Sequence, residues 1–168
     1  MKTITGKCKE CSKRTQGKKD NGFMCRKCSQ KKDYEAITAK LHDMNDFDFG
    51  WLVGLVEGEG CFYCKESNCK ISSGQYCYPL AGFTVMSTDY DVMDNLGILL
   101  GIKPKGPYYK KSEKERKVVW SIQITGNKVM AIMCVLRQHL SERRQQQIDR
   151  AIDWQNKGRF EIMAANLA

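Results

Sequence analysis

Two pairs of cysteines are the clearest candidates for chemistry in the sequence. Cys8 and Cys11 form one CxxC pair, and thirteen residues separate it from a second pair, Cys25 and Cys28. Two thiolates on one tight turn can face the same ion, and two such turns complete a tetrahedral zinc site. Because four thiolates leave no coordination position for water, we predict a structural Zn²⁺ in a ribbon over residues 1–32, with a redox site as the alternative.

Two carboxylates, Glu57 and Glu59, form a second candidate group. They end an apolar run in which Gly50, Gly54 and Gly58 recur every fourth residue and therefore share one stripe of a helix. Glycine inside a helix costs about 1 kcal/mol relative to alanine, so the stripe indicates close contact with a second helix. Carboxylates oppose the dipole at a helix C-terminus, and as hard oxygen ligands they suit a divalent cation. The alternative is a core helix that ends in a solvated acidic turn.

The other five cysteines lie outside the N-terminal segment of residues 1–32. Four of them cluster in one region and either bind a second ion or are half-buried thiols in strands: Cys61, Cys64, Cys69 and Cys77. We favour buried or half-buried thiols, which behave as small hydrophobic side chains.

The charge of the chain is concentrated at its beginning. The sequence has 28 Lys and Arg against 19 Asp and Glu, a net charge of +9. Residues 1–32 hold 11 of the basic and only two of the acidic side chains, so they carry the whole excess. This asymmetry indicates binding to nucleic acid or another polyanion. A basic segment that only keeps the protein soluble is the alternative.

Length and composition indicate one domain with a small appendage. The chain has 168 residues, of which 42% are hydrophobic, enough for a core. No apolar run approaches the roughly 18–20 residues of a membrane span, and the sequence opens without the apolar region of a secretory signal. We therefore expect a soluble, intracellular protein of cytoplasmic type with no membrane partner.

The elements that must position these groups follow from periodicity and capping residues. Residues 33–45 read as a linker with helical tendency, and residues 46–168 as the main domain. Within it we predict helices at 47–58 (capped by Asn45 or Asp46), 89–100 (capped by Thr88), 128–138 and 142–157 (stopped by Gly158). The predicted strands are 60–66, 71–78, 80–87, 106–112 and 116–125. This order predicts an α+β domain in which helices cover one face of an antiparallel sheet and leave the other face free.

The run LVGLVEGEG, residues 52–60, resembles the signature nonapeptide of the LAGLIDADG homing endonucleases. Leu52, Gly54, Leu55 and Gly60 match, with acids at Glu57 and Glu59. The order of elements over about 46–158 also resembles the αββαββα core of that family. The resemblance implies a metal-dependent, site-specific DNA endonuclease associated with intron or intein mobility, for which a phage or organelle genome is a compatible source.

The family resemblance implies a homodimer. The motif occurs once, so two copies would pack through Gly50, Gly54 and Gly58 and cut a nearly palindromic site. Glu59 matches the metal-binding acid of the family, Glu57 matches the first acid, and the Gly58 carbonyl could join Glu59 in binding Mg²⁺. The family name has Asp at both acidic positions, so the longer Glu side chains leave the metal geometry and the turnover rate open.

The resemblance also implies a basic residue and polar side chains near the cleaved phosphate. The run SERRQQQ, residues 141–147, supplies Arg144 for the basic role with Gln146 or Gln147 beside it, and a solvated helix face is the alternative. DNA would lie on the free face of the sheet, with the side chains of alternate residues directed to bases or phosphates. The candidate contacts are Lys65, Ser67, Thr84, Ser87, Tyr108, Lys110, Ser112, Lys117 and Gln123.

Two other classes of protein compete with a nuclease. One is a non-cleaving DNA- or RNA-binding protein of the same fold, such as an intron maturase or a regulator. The pair Glu57 and Glu59 argues against it, because a protein that only binds DNA has no use for carboxylates beside the phosphates. The other is a zinc-ribbon adaptor for proteins, against which the glycine stripe and the basic ribbon argue.

Overall fold

The computed structural model describes residues 4–17, 24, 26–71, 74–109 and 118–165. Four residues of the predicted sites lie outside these ranges: Cys25, Lys110, Ser112 and Lys117. The described chain forms, in order, β1 (Ile4–Lys7), β2 (Arg14–Gly17), α1 (Arg26–His42), α2 (Asp46–Glu59), β3 (Cys61–Ile71), β4 (Gly74–Ser87), α3 (Tyr90–Leu100), β5 (Lys105–Tyr109), β6 (Val118–Thr125), α4 (Asn127–Leu136) and α5 (Glu142–Ala165). The predicted α+β class is confirmed.

The main sheet has four antiparallel strands in the order β3-β4-β6-β5, and β1 and β2 form a separate hairpin. The three strands predicted between residues 60 and 87 are two long ones, because Pro79 lies inside β4 opposite Glu66 instead of ending it. Strand β6 pairs with β4 only from Gly82 to Ser87. The missing N–H of Pro79 therefore belongs to a stretch that pairs with β3 alone, where proline is tolerated.

The core lies between the sheet and the helices. Alternate strand residues are buried against the helices, and they are Phe62, Ala81, Phe83, Val85, Ile122 and Ile124. Strand alternation then places the intervening residues on the opposite face, away from the helices. The predicted free face of the sheet is therefore present.

Helix α1 differs from the linker predicted at residues 33–45. Ile37 and Leu41 are only 5% and 2% exposed and belong to the hydrophobic core, with Tyr34 packed against it. These residues follow helical spacing, which places them on one face. The side-chain amide of Asn127 donates to the carbonyl of Gln30 at 3.1 Å, so α1 also contacts the start of α4. The helical tendency predicted for residues 33–45 agrees with α1, and this helix packs on the core between the N-terminal hairpin and the main domain.

The ends of the other helices can be compared with the capping and stop residues predicted from the sequence. Asn45 caps α2, since its Oδ1 accepts from the backbone N–H of Asp48 at 2.9 Å, as predicted. Helix α3 is preceded by Asp89 as its N-cap instead of the predicted Thr88. Helix α5 continues through Gly158, the predicted stop, since one interior glycine costs a helix only about 1 kcal/mol. Within the described ranges no helix has the length and apolar character that crossing a membrane requires.

Candidate active site and nucleic-acid interface

The last turn of α2 is fixed by buried anchors on one side. Leu52 and Val56 are 0% exposed and hold the helix against the core. Gly60 ends the helix by donating its N–H to the carbonyl of Val56 at 3.0 Å. A Cβ at residue 60 would lie 2.5 Å from that carbonyl oxygen, so only glycine allows this close turn into β3. The two motif acids therefore have defined positions at the helix end.

Arg144, from the first turn of α5, closes the C-terminal end of α2. Its side chain is buried, at 6% exposure. Its Nη2 donates to the carbonyl of Glu57 at 2.8 Å and to that of Gly58 at 3.3 Å, and its Nε donates to Glu57 at 3.2 Å. The last carbonyls of a helix lack intrahelical partners and carry negative partial charge, so a guanidinium there stabilises the helix end. Arg144 is thus directed at the backbone of the motif helix.

Glu57 makes the reciprocal contact at the beginning of α5. Its carboxylate accepts from the backbone N–H of Ser141 at 2.9 Å and from the Ser141 hydroxyl at 2.7 Å. These hydrogen bonds, aided by Arg144 and Arg143, hold the pKa of Glu57 below its ordinary value. An anion at a helix N-terminus is favourable, so the two helices stabilise each other's ends. We name this arrangement of Glu57, Ser141 and Arg144 the helix-end clamp.

Glu59 has a different environment from Glu57. Its side chain is exposed, and within the described chain its carboxylate makes no hydrogen bond or ion pair. The neighbouring carbonyl of Gly58 accepts from Arg144 at 3.3 Å and keeps a second lone pair. Hard oxygen donors of this kind fit a small divalent cation such as Mg²⁺. One chain offers a single unengaged motif carboxylate, which is an incomplete ligand set.

The two predicted polar helpers of α5, Gln146 and Gln147, have different environments. Gln146 is exposed and donates to Glu142 at 3.3 Å, one turn earlier in the same helix. Gln147 accepts from Nη1 of Arg144 at 3.0 Å and so belongs to the support of the clamp.

The glycine stripe of α2 faces outwards. Gly50, Gly54 and Gly58 are exposed, and a Cβ built at any of them meets nothing within 4 Å. Phe47, one turn before Gly50, is 82% exposed. The stripe is therefore not used for packing within the described parts of one chain.

The free face of the sheet carries most of the described DNA-contact candidates. Strand pairing places Lys65, Ser67, Thr84 and Gln123 on this face, and exposed Tyr108 pairs with Val119 beside them. Ser87 is on the opposite face, because it is three residues from Thr84 and a strand alternates with period two. Its hydroxyl accepts from the backbone N–H of Asp89 at 3.1 Å, next to the start of α3. Of the two alternatives on this strand, Ser87 or Thr84, only Thr84 therefore lies on the free face.

Tyr63 is a free-face residue that the sequence predictions missed. Its hydroxyl accepts from Nε2 of Gln123 at 2.5 Å. Gly82 lies between them on β4, and a Cβ there would come within 2.2 Å of Cζ of Tyr63. The glycine in an otherwise apolar strand was the available signal, since such a glycine often marks a close approach.

The turn of the N-terminal hairpin and the first turn of α1 bring three of the four predicted zinc ligands together. The sulfur atoms of Cys8, Cys11 and Cys28 lie within 4.8 Å of one another, and Cys25 is outside the described residues. A tetrahedral zinc site with Zn–S bonds near 2.3 Å separates its sulfurs by about 3.8 Å, so the cluster fits a shared ion. The turn after β1 is closed by the N–H of Ser12 donating to the carbonyl of Cys8 at 2.8 Å.

The fold and the motif helix define the class of this protein, and comparison with known families agrees. The chain matches the LAGLIDADG endonuclease model over residues 52–149. This match covers more than half of the chain, which therefore belongs to the LAGLIDADG endonuclease family. The matched range runs from the motif helix through the sheet to the clamp residues of α5.

Similar solved structures are homing endonucleases. The crystal structure of I-TnaI is 20% identical with a TM-score of 0.44, and the match covers 62% of this chain and 68% of that one. I-LtrWI bound to target DNA is 20% identical over 70% of this chain and 45% of that one, with a TM-score of 0.36. I-SmaMI bound to uncleaved DNA with calcium is 18% identical over 69% and 46%, with a TM-score of 0.31. This chain thus spans less than half of the last two proteins. A comparison with curated protein sequences gives no match.

Proposed function

We propose that this protein is a site-specific double-strand DNA endonuclease of the homing type that hydrolyses phosphodiester bonds with Mg²⁺. The contrast between the two motif acids carries the proposal. Glu57 is engaged by Ser141, whereas Glu59 is exposed and makes no such contact in the described chain. An unengaged carboxylate at a helix C-terminus opposes the helix dipole and repels DNA phosphates. Metal binding gives Glu59 a function that neither folding nor DNA binding supplies.

Glu59 and the Gly58 carbonyl would hold the ion. When bound, Mg²⁺ supplies an activated water and neutralises charge on the leaving oxygen of the phosphodiester. The chain's own contribution is to fix the direction of Glu59. Arg144 and Glu57 do this by joining the end of α2 to the start of α5. Gln146, an exposed polar side chain two residues after Arg144, is proposed to assist near the cleaved phosphate.

The proposed enzyme is a homodimer on a nearly palindromic site. One chain provides one motif carboxylate for the metal, so a second copy brings the second. The open stripe of Gly50, Gly54 and Gly58 supports this assembly, because a facing helix can approach bare backbone closely. Exposed Phe47 would be covered at the edge of the same contact.

DNA contact is proposed for the free face of the sheet and for the N-terminal segment. A sheet face can present alternate side chains to base edges in the major groove. Lys65, Ser67, Thr84, Tyr108 and Gln123 are the described candidates on this face. Lys110, Ser112 and Lys117 remain proposals from the sequence.

The N-terminal segment is proposed to hold one structural Zn²⁺ through Cys8, Cys11, Cys25 and Cys28. Its excess of positive charge suits phosphates that flank the target site, because phosphate neutralisation dominates the affinity of proteins for DNA.

The experiment that tests the function combines selection and cleavage. The full-length protein would first select sequences from a random duplex library without Mg²⁺. The selected duplex would then be incubated with Mg²⁺, and the products sized on both strands. We expect a nearly palindromic site, cleavage of both strands with 3′ overhangs, and a complex that sediments with two chains. A non-cleaving binder of the same fold, such as a maturase or regulator, would select DNA but never nick it.

A further inference from the structure

We propose that Tyr63 and Gly82 hold the Gln123 amide in one orientation, so that this side chain reads an adenine in each half of the target site. The inference rests on the proposed DNA-binding function and assigns one determinant of its specificity. Of these three residues, only Gln123 was predicted from the sequence to contact DNA. Tyr63 and Gly82 had no predicted function.

The geometry of the three residues crosses a whole strand. Tyr63 is on β3 and Gln123 on β6, and β4 lies between these strands. Adjacent strands are about 4.8 Å apart, so the two backbones are separated by roughly 10 Å. The hydrogen bond from Nε2 of Gln123 to Oη of Tyr63, at 2.5 Å, spans this gap above the sheet.

Gly82 makes the crossing possible. It pairs with Tyr63 on one side and with Thr125 on the other, so it lies directly below the path of the tyrosine ring. A Cβ at residue 82 would be 2.2 Å from Cζ and 2.4 Å from Oη of Tyr63. Any side chain there would force the ring away from β6. The three residues therefore act together on the free face. Gly82 leaves space for the Tyr63 ring, and the Tyr63 hydroxyl holds the Gln123 amide.

The hydrogen bond to Tyr63 limits which donor and acceptor groups of the Gln123 amide remain for DNA. One N–H is used by Tyr63, which leaves the second N–H as a donor and Oε1 as an acceptor. Adenine presents the complementary pair in the major groove, with N7 as acceptor and N6 as donor. A flexible exposed glutamine would lose rotamer entropy on making this contact. Because the tyrosine fixes the amide beforehand, part of that loss has already occurred in the free protein.

The neighbouring side chains are compatible with this role. Lys65 lies on the same face, with its Nζ 5.8 Å from the centre of the Tyr63 ring, where it adds positive charge. The Tyr63 hydroxyl accepts from Gln123 and keeps its own proton to donate to DNA.

The test is the base preference at each position of the selected site, measured with full-length variants in the absence of Mg²⁺. In the wild type we expect adenine to be preferred at one position per half-site by about 5- to 150-fold, the range of a good bidentate contact. Gln123→Glu removes the donor to N7 and should abolish that preference. Tyr63→Phe keeps the ring but loses the hydroxyl, and should weaken the preference at the same position roughly fivefold. Gly82→Ala should also weaken it, because the ring is displaced.

Ser121→Ala is the matched control. Ser121 lies on the same face of β6 as Gln123, and among the described residues it makes no hydrogen bond to Tyr63. It should leave the adenine preference at the Gln123 position unchanged. If Gln123→Glu identifies a position and Tyr63→Phe leaves the preference there at the wild-type level, the inference is wrong while the proposed function stands. A wild-type protein that selects no sequence refutes the proposed function and the inference with it.

Discussion

Replacing Gly54 by alanine should have opposite effects on the monomer and on the dimer. Gly54 is inside α2, is exposed, and has nothing within 4 Å of a Cβ added to it. Alanine is favoured over glycine in a helix interior by about 0.8–1 kcal/mol, partly because it restricts the unfolded chain. The isolated chain should therefore gain up to about 1 kcal/mol of unfolding free energy. In the proposed dimer the same methyl group faces a second backbone and should weaken association.

Gly97→Ala provides the matched control. Gly97 is also inside a helix, α3, so the propensity gain is the same, but its added Cβ would lie 2.6 Å from the carbonyl oxygen of Ile102. Overpacking of this kind typically costs 1–3 kcal/mol, so the net effect should be destabilising.

The assay is urea denaturation at low protein concentration, paired with sedimentation at high concentration on and off DNA. Gly54→Ala should raise the denaturation midpoint of the monomer, lower the fraction of dimer, and reduce cleavage at limiting protein. Gly54→Leu should abolish the dimer. A Gly54→Ala protein that is less stable as a monomer would show that the stripe is filled within one chain. A wild-type protein that remains monomeric on DNA would refute the two-subunit nuclease.

The clamp and the zinc cluster give three more predictions. Arg144→Gln should lower the free energy of unfolding by about 2–3 kcal/mol, because the last carbonyls of α2 lose a buried, charged donor, whereas Arg143→Gln should change it by less than about 0.5 kcal/mol; urea denaturation measures both. Glu57 has a lowered pKa, so its contribution to stability is present above the unfolded pKa near 4.5 and is lost as the pH falls through the folded value. Glu57→Gln should therefore flatten the loss of stability as the pH falls below the unfolded pKa near 4.5, and an unchanged slope would contradict the clamp. Cys8→Ser should remove zinc from a protein that otherwise contains one ion per chain by elemental analysis, and should weaken DNA binding while the main domain stays folded.

Local signals in the sequence predicted much of the fold. Asn45 was identified as a cap because its side chain satisfies a backbone N–H within three residues, a purely local interaction. The alternation of Trp120, Ile122 and Ile124 in the sequence marks the face of β6 that packs on the helices, since it depends only on strand geometry. The same rule separates Ser87 from Thr84, because residues three apart in a strand cannot share a face.

The parts of the site that could not be predicted depend on contacts between distant residues. Arg144 and Glu57 are 87 positions apart, and their mutual arrangement follows from the packing of α5 against the end of α2. The sequence alone suggested a phosphate-contacting arginine, whereas the structure directs its guanidinium at helix carbonyls. Tyr63 and Gln123 are 60 positions apart and meet only because of the strand order. The packed face of α1 was visible in the spacing of Ile37 and Leu41, but its partner was not.

The most direct test of the central claim is the rate of Mg²⁺-dependent cleavage of the selected duplex by Glu59→Gln. The substitution keeps the size of the side chain and removes the charge that would bind the metal. Asp153→Asn, at an exposed carboxylate of α5, is the control for loss of one negative charge. We expect Glu59→Gln to cut more slowly by orders of magnitude with DNA affinity equal to or above that of the wild type, and Asp153→Asn to cut normally. If Glu59→Gln cuts as fast as the wild type, Glu59 does not bind the catalytic metal and the proposed mechanism is wrong.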